Sequence, residues 1–367
     1  MDVHDKALTE RIAWLFDLAR RHTEDFVSPE TQLARTRYLA EHPTAIMALK
    51  CMDGRINIAV ATRTPKGIVQ PFRNLGGRFD LGWPHLGEVL AEYVQDVVRS
   101  GRRVLALLTY HFSKGDPARG CAGFGYDTAA ARAHVFALRS QFEQVFGRGH
   151  GTVYPLVCGF ETDEEALVLH AAGEADQAGG ATLDLAALAA DDAAATEAQL
   201  CQRLGHLFPD MPAQVRHDLA PLVAGNLAHI AEVRQRPRAV DAEQRDIEHR
   251  EWMICLGRGF DFLHTPNQAL IIGPYSPDLA DPVRQAAAII EANMAGGRIP
   301  ADGFLLLASS PYRDPGMDRA RAELKARFLS AFAAGVIAEA HPALARGMRR
   351  HTAVLDWRSR ALTLLPD

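Results

Sequence analysis

The chain has 367 residues, 40 Lys and Arg against 45 Asp and Glu, a net charge of −5, and is 48% hydrophobic and 23% charged. This is the profile of a globular protein of one large or two medium domains, and it excludes a collagen-like, predominantly disordered or disulfide-dense chain. There is no basic surplus for nucleic acid, no apolar run approaching the ~18 residues of a membrane helix, and no secretory signal at the amino terminus. Five cysteines, an odd number, point to a reducing cytoplasm.

Residues 1–43 read as a helical amino-terminal arm, with Ile12, Leu15, Phe16 and Leu18 at near-helical spacing. Residues 44–170 alternate between strands and helices. Ala45 to Cys51 is a short apolar run that ends at the polar cluster Asp53-Gly54-Arg55. Leu86 to Val98 has helical periodicity, Val104 to Tyr110 reads as a buried strand, 129–146 as a helix and Thr152 to Phe160 as a strand. This order predicts an α/β fold, a mainly parallel sheet flanked by helices, with ligands at the carboxyl ends of its strands. Residues 171–205 are Ala-rich and read as an insertion or linker.

Residues 206–367 carry a weak internal repeat of the first half. An apolar stretch ending at Cys255, a helix from Val283 to Met294 and the strand Phe304 to Ala308 follow the order of Met47 to Cys51, Leu86 to Val98 and Leu105 to Thr109. A degenerate second copy of the same fold, an internal pseudo-dimer, is the expectation. In this alignment Ser309 and Ser310 stand where the first copy has a histidine, and Cys255 reads as a relic or a core thiol.

Three groups converge at predicted strand ends or the adjoining loop. They are Cys51 in Cys51-x-Asp53-x-Arg55, His111 after the buried strand, and Cys121 in the loop GCAGFG. Each alone also reads as packing or capping. Together, two thiolates and an imidazole suit Zn2+, and three protein ligands leave a fourth position for water. Arg55, two residues beyond Asp53, can hold its carboxylate in ionised form.

These residues carry a resemblance. CMDGR resembles the Cys-x-Asp-x-Arg signature of β-class carbonic anhydrases, Arg73-Asn74-Leu75-Gly76 is similar to their Arg-Asn-x-Gly segment, and Glu92-Tyr93-Val94 lies in a similar helix. Nine residues separate His111 from Cys121, where ordinary β enzymes have two. The longer loop, YHFSKGDPARGCAGFG, resembles the divergent branch found in carboxysome shells, as do Phe160 to Ala166 and, more loosely, Gly225 to Ile230.

The resemblance implies a zinc-dependent carbonic anhydrase that hydrates CO2 to bicarbonate through a zinc-bound hydroxide. Cys51, His111 and Cys121 would be the ligands, and Asp53 and Arg55 the orienting pair. Arg73, Asn74 and Gly123 are expected in the substrate pocket, and His264 in GFDFLHTPN as the proton acceptor. A homo-oligomer is also implied, with the second copy supplying within one chain the two-fold interface on which β-type sites are built. The expected location is cytoplasmic, with the carboxysome as the alternative, and association with a carboxysome shell or Rubisco is left open. Other readings are a zinc hydrolase of carbonyl sulfide or carbon disulfide, a non-catalytic zinc scaffold or inorganic-carbon sensor, and a soluble subunit of a bicarbonate-accumulating membrane complex.

Overall fold

The computed structural model describes residues 2–171, 181–191, 196–235 and 249–366. Two helices open the chain, α1 (Leu8–Phe26) and α2 (Pro29–Glu41). The second is started by Ser28, whose side chain accepts from the Thr31 amide, and by Pro29 in the first turn. The arm docks on the second half of the molecule. The Leu8 amide donates to Asp302 at 2.6 Å, Arg11 pairs with the same carboxylate, and Thr23 donates to the Arg360 carbonyl at 2.9 Å.

The first sheet contains β1 (Ala45–Cys51), β2 (Val69–Asn74), β3 (Val104–Phe112), β4 (Val153–Glu161), β5 (Ala166–His170) and β6 (Thr182–Asp184), in the order β2-β1-β3-β4-β5-β6. The first four strands are parallel and the last two antiparallel. All seven residues of β1 and all nine of β4 are buried, as expected of strands covered on both faces. Its helices include the single-turn α3 (Ile58–Ala61), α4 (Pro84–Arg99) and α5 (Thr128–Phe146). Leu86, Leu90, Val94 and Val97 form the buried stripe of α4.

Three further helices follow, α6 (Leu185–Asp191), α7 (Glu197–Leu207) and α8 (Ala213–Gln235). Of the Ala-rich segment expected as a linker, 172–180 and 192–195 lie outside the described residues, and the described part supplies edge strand β6 and helix α6. The expected boundary at 206 falls inside α7, and α8 packs on β5 of the first sheet. Buried Asn226 fixes that helix: its side chain accepts from the Leu167 amide and donates to the carbonyls of Ala61 and Glu165, each at 2.9 Å.

The second sheet contains β7 (Met253–Gly257), β8 (Ala269–Ile272), β9 (Phe304–Tyr312), β10 (Met348–Asp356) and β11 (Leu362–Leu364), in the order β11-β10-β9-β7-β8. Helix α9 (Ala280–Ala295) leads into β9, and α10 (Met317–Ala340) packs on β9 and β10. Strand for strand, β8-β7-β9-β10-β11 repeats β2-β1-β3-β4-β5, including the antiparallel fifth strand. The mixed α/β fold of two mainly parallel sheets is therefore as expected.

The register corrects the alignment inside the repeat. Leu49 pairs with Leu108, the fifth residue of β3, and Leu256 pairs with Ala308, the fifth residue of β9. Cys255 therefore corresponds to Ala48, and Arg258 to Cys51. Likewise Pro311, and neither Ser309 nor Ser310, occupies the eighth strand position held by His111. Cys255 is a core thiol of the strand interior, buried to 1% exposure.

The two halves join beside the polar cluster. The Ile271 amide donates to the Met52 carbonyl at 2.7 Å, the Gly54 amide to the Ala269 carbonyl at 3.1 Å, and the Gly273 amide to the Arg73 carbonyl at 2.8 Å. A β-carbon on Gly54 would lie 2.2 Å from the Thr265 carbonyl oxygen, so this approach requires glycine.

Candidate metal centre

Cys51 ends β1, His111 is the eighth residue of β3, and Cys121 opens the short turn Ala122–Phe124. All three are buried, and their sulfur and nitrogen ligand atoms lie within 4.8 Å of one another. Neither ring nitrogen of His111 has a hydrogen-bond partner. A buried imidazole left that way is costly, and a cation between two sulfurs and one ring nitrogen satisfies it. Cys121 is held below the usual thiol value first by its hydrogen bond to Cys51, and the same contact pushes Cys51 well up. Two thiols this close favour losing a proton to a cation bound between them. The donor set fits zinc.

Asp53 is fixed through both carboxylate oxygens. The Arg55 amide donates to Oδ1 at 2.8 Å, while Arg55 Nε and Nη2 donate to Oδ2 at 3.0 and 2.7 Å. Burial alone raises the carboxyl pKa, but the charge and hydrogen bonds of Arg55 outweigh it and hold the group below its usual value. Arg55 is itself tied to the Cys121 loop, donating to the Arg119 carbonyl at 3.2 Å.

The residues expected in the substrate pocket sit in the frame around the cluster. Arg73, wholly buried, donates from Nη1 to the Asp53 carbonyl at 2.8 Å and to the Cys51 carbonyl at 3.4 Å. Asn74 donates to the Arg78 carbonyl at 2.7 Å, and its own carbonyl accepts from the Met52 amide at 2.8 Å. Gly123 packs on the backbone of Gly76, which has φ +64°, and its carbonyl accepts from Arg78.

His264 precedes Thr265, whose carbonyl abuts Gly54. It lines a cavity of about 500 Å³ together with His22, Lys50 and Asp261. Burial, the largest cause, lowers its pKa to about 4, which removes it from the neutral range a proton acceptor needs. His249 was missed by sequence reasoning. Its charge acts on Asp53, its Nδ1 sits 3.1 Å from Glu251 Oε1, its Nε2 has no partner, and 21% of its side chain is exposed. The charge of Glu251 raises its pKa. Glu251 is completely buried and receives a second bond from Asn293 Nδ2 at 3.2 Å. The only sequence signal was a His two residues before a Glu, in a stretch that reads as solvated charge.

Among the described residues, no helix is long and apolar enough to cross a membrane. Residues 34–206 match the family model described as carboxysome shell carbonic anhydrase, catalytic domain. The chain is similar to proteins named carboxysome shell carbonic anhydrase from Hydrogenovibrio crunogenus (28% identical over 284 residues, 69% of this chain and 53% of the relative), Prochlorococcus marinus (30% over 242 residues, 59% and 45%) and Parasynechococcus marenigrum (29% over 246 residues, 59% and 40%). It spans about half the length of the curated relatives it matches. The matched segment holds Cys51, Asp53, Arg55, His111 and Cys121 in one buried cluster. Residues 34–206 are therefore similar to the catalytic domain of carboxysome shell carbonic anhydrases.

Proposed function

We propose that this chain is a zinc-dependent carbonic anhydrase that interconverts CO2 and bicarbonate. The observation that carries the proposal is the convergence of Cys51, His111 and Cys121 within 4.8 Å beside an intact Asp53–Arg55 pair. Zinc held by those three side chains supplies a Lewis acid that brings the pKa of water to about 7. A structural zinc needs no ionised carboxylate braced by a buried guanidinium, so the pair argues against a pure scaffold.

Asp53, kept ionised by Arg55, accepts a hydrogen bond from the attacking water and aims its oxygen at the carbon of CO2. Arg73 holds the main chain on which both Cys51 and Asp53 are mounted. The water oxygen bonds to carbon, the proton released travels outward, and bicarbonate departs. His249, whose pKa is raised by Glu251 and whose charge acts on Asp53, takes the role expected for His264 as the group that accepts this proton. A carboxysome location for the chain is proposed on the names of its relatives alone.

The test is stopped-flow CO2 hydration on protein of measured zinc content, with Cys121→Ser and Asp53→Ala beside the wild type. The expected result is zinc near one per chain at this centre and hydration lost in both variants, with zinc lost only in Cys121→Ser. Bound zinc without hydration at any accessible pH would overturn the anhydrase reading. Turnover of carbonyl sulfide instead would assign the related hydrolase.

A further inference from the structure

Among the described residues, a second cluster also brings three metal-ligating side chains within 4.8 Å of one another, namely His42, His217 and Asp218. It is built from other elements than the first. His42 follows the end of α2, just before β1 begins, and His217 and Asp218 lie in the first turns of α8. It therefore stands at the amino-terminal end of β1, while Cys51 stands at the carboxyl-terminal end.

We propose that His42, His217 and Asp218 form a second site for a borderline divalent transition-metal ion, of the class of Zn2+, Co2+ and Ni2+. The first reason is the state of His42. Its side chain is nine-tenths buried, yet its Nδ1 has no hydrogen-bond partner, although Asp218 Oδ1 faces it at 3.4 Å. That separation is long for a charge-assisted hydrogen bond, which runs at about 2.7–2.9 Å. It matches the spacing of two ligands on one tetrahedral ion. Bonds of about 2.0–2.1 Å at the tetrahedral angle set neighbouring donor atoms about 3.4 Å apart.

The second reason is that Asp218 is oriented as a ligating carboxylate is. Its side chain is 1% exposed. Oδ2 accepts from the Thr44 amide and Oδ1 from Gln214 Nε2, each at 2.8 Å. Such outer hydrogen bonds fix a carboxylate's direction before an ion arrives. The third reason is access. His217 is exposed, and its ring lies 5.2 Å from that of His42, so an ion enters from solvent on the His217 side. Two imidazoles and one carboxylate select a borderline ion over Mg2+ or Ca2+, which prefer oxygen alone. The Tyr38 ring lies against that of His42, centroids 4.9 Å apart.

The test is cobalt and zinc titration of the full chain after metal removal by a chelator. Two equivalents are expected. One brings the intense near-ultraviolet absorption of thiolate bound to cobalt and belongs to Cys51 and Cys121. The other brings only weak visible bands, since its ligands are nitrogen and oxygen. His217→Ala, at an exposed position, should lose the second equivalent and keep the thiolate band and CO2 hydration. His42→Gln should do the same. Cys121→Ser should lose the thiolate band and keep the second equivalent, so failure of either site is seen separately. A single equivalent in the wild type overturns the proposal. So does a second one that survives His217→Ala, or one that binds more weakly than about 10 µM, roughly 7 kcal/mol.

Discussion

Gly123 packs so tightly on Gly76 that a β-carbon on Gly123 would lie 2.6 Å from the Gly76 α-carbon and 2.8 Å from its nitrogen. Both neighbours are backbone, so neither can swing aside. Cys121 is two residues away and takes its position from this contact. Gly123→Ala is expected to push the loop off the turn that follows β2 and cost about 1–3 kcal/mol, the usual range for forced overpacking. Zinc affinity should fall with it, and metal analysis together with a thermal melt will show both.

Arg55→Ala leaves the buried carboxylate of Asp53 without its charged partner, keeping only the main-chain amide bond. Loss of one member of a buried pair costs about 3–5 kcal/mol. The pH dependence follows from the direction of the Asp53 shift. Its folded pKa is depressed, so its contribution is present above the unfolded value of about 3.9 and is lost only as pH falls through the lower folded value. In Arg55→Ala the depression disappears, and acid unfolding followed by circular dichroism should begin at higher pH than in the wild type.

For His249 the sign is reversed. Its folded pKa is raised, so the stability it contributes is full below the unfolded value of about 6.5 and is lost as pH rises through the folded value. His249→Ala should lower kcat in dilute buffer with little change in kcat/KM, and added imidazole should restore the rate. His264→Ala should leave the buffer dependence unchanged, since a histidine near pKa 4 carries no proton at neutral pH.

Asn226→Ala unpairs one amide and two carbonyls where α8 meets the first sheet. A buried polar group left unpaired costs about 1–3 kcal/mol. A loss of at least that size is expected in urea unfolding. Zinc content should hold, because none of the three bonds touches the metal cluster.

The strands read easily from sequence were those whose residues are nearly all apolar, β1, β3, β4 and β9. They are buried on both faces, so composition alone marks them. Strand β2 was not legible because Gln70, Pro71 and Arg73 interrupt its pattern; Arg73 is buried there only because main-chain carbonyls receive its guanidinium. Strand β10 begins with Met348, Arg349 and Arg350, which face solvent at least in part. The three metal-binding candidates were legible because their chemistry is rare at two strand ends and the adjoining loop. His249 was not, since nothing local distinguishes Glu251, a completely buried carboxylate, from the surface charges around it. The repeat was visible as order and spacing, but register depends on pairing across the sheet, so Arg258 and Pro311 emerged only from the structure.

The bonds from β8 to the loop carrying Asp53 come from the same polypeptide. A partner tethered in this way is present at an effective concentration that dilution does not change. The geometry around Asp53 therefore carries no association constant, and specific activity should stay level at enzyme concentrations where a site shared between separate chains would fall apart. The duplicated half, having only to present a strand edge, was free to place Arg258 and Pro311 where ligands would stand. Each chain then carries one Cys-His-Cys cluster whose supporting strand never has to be found in a second chain.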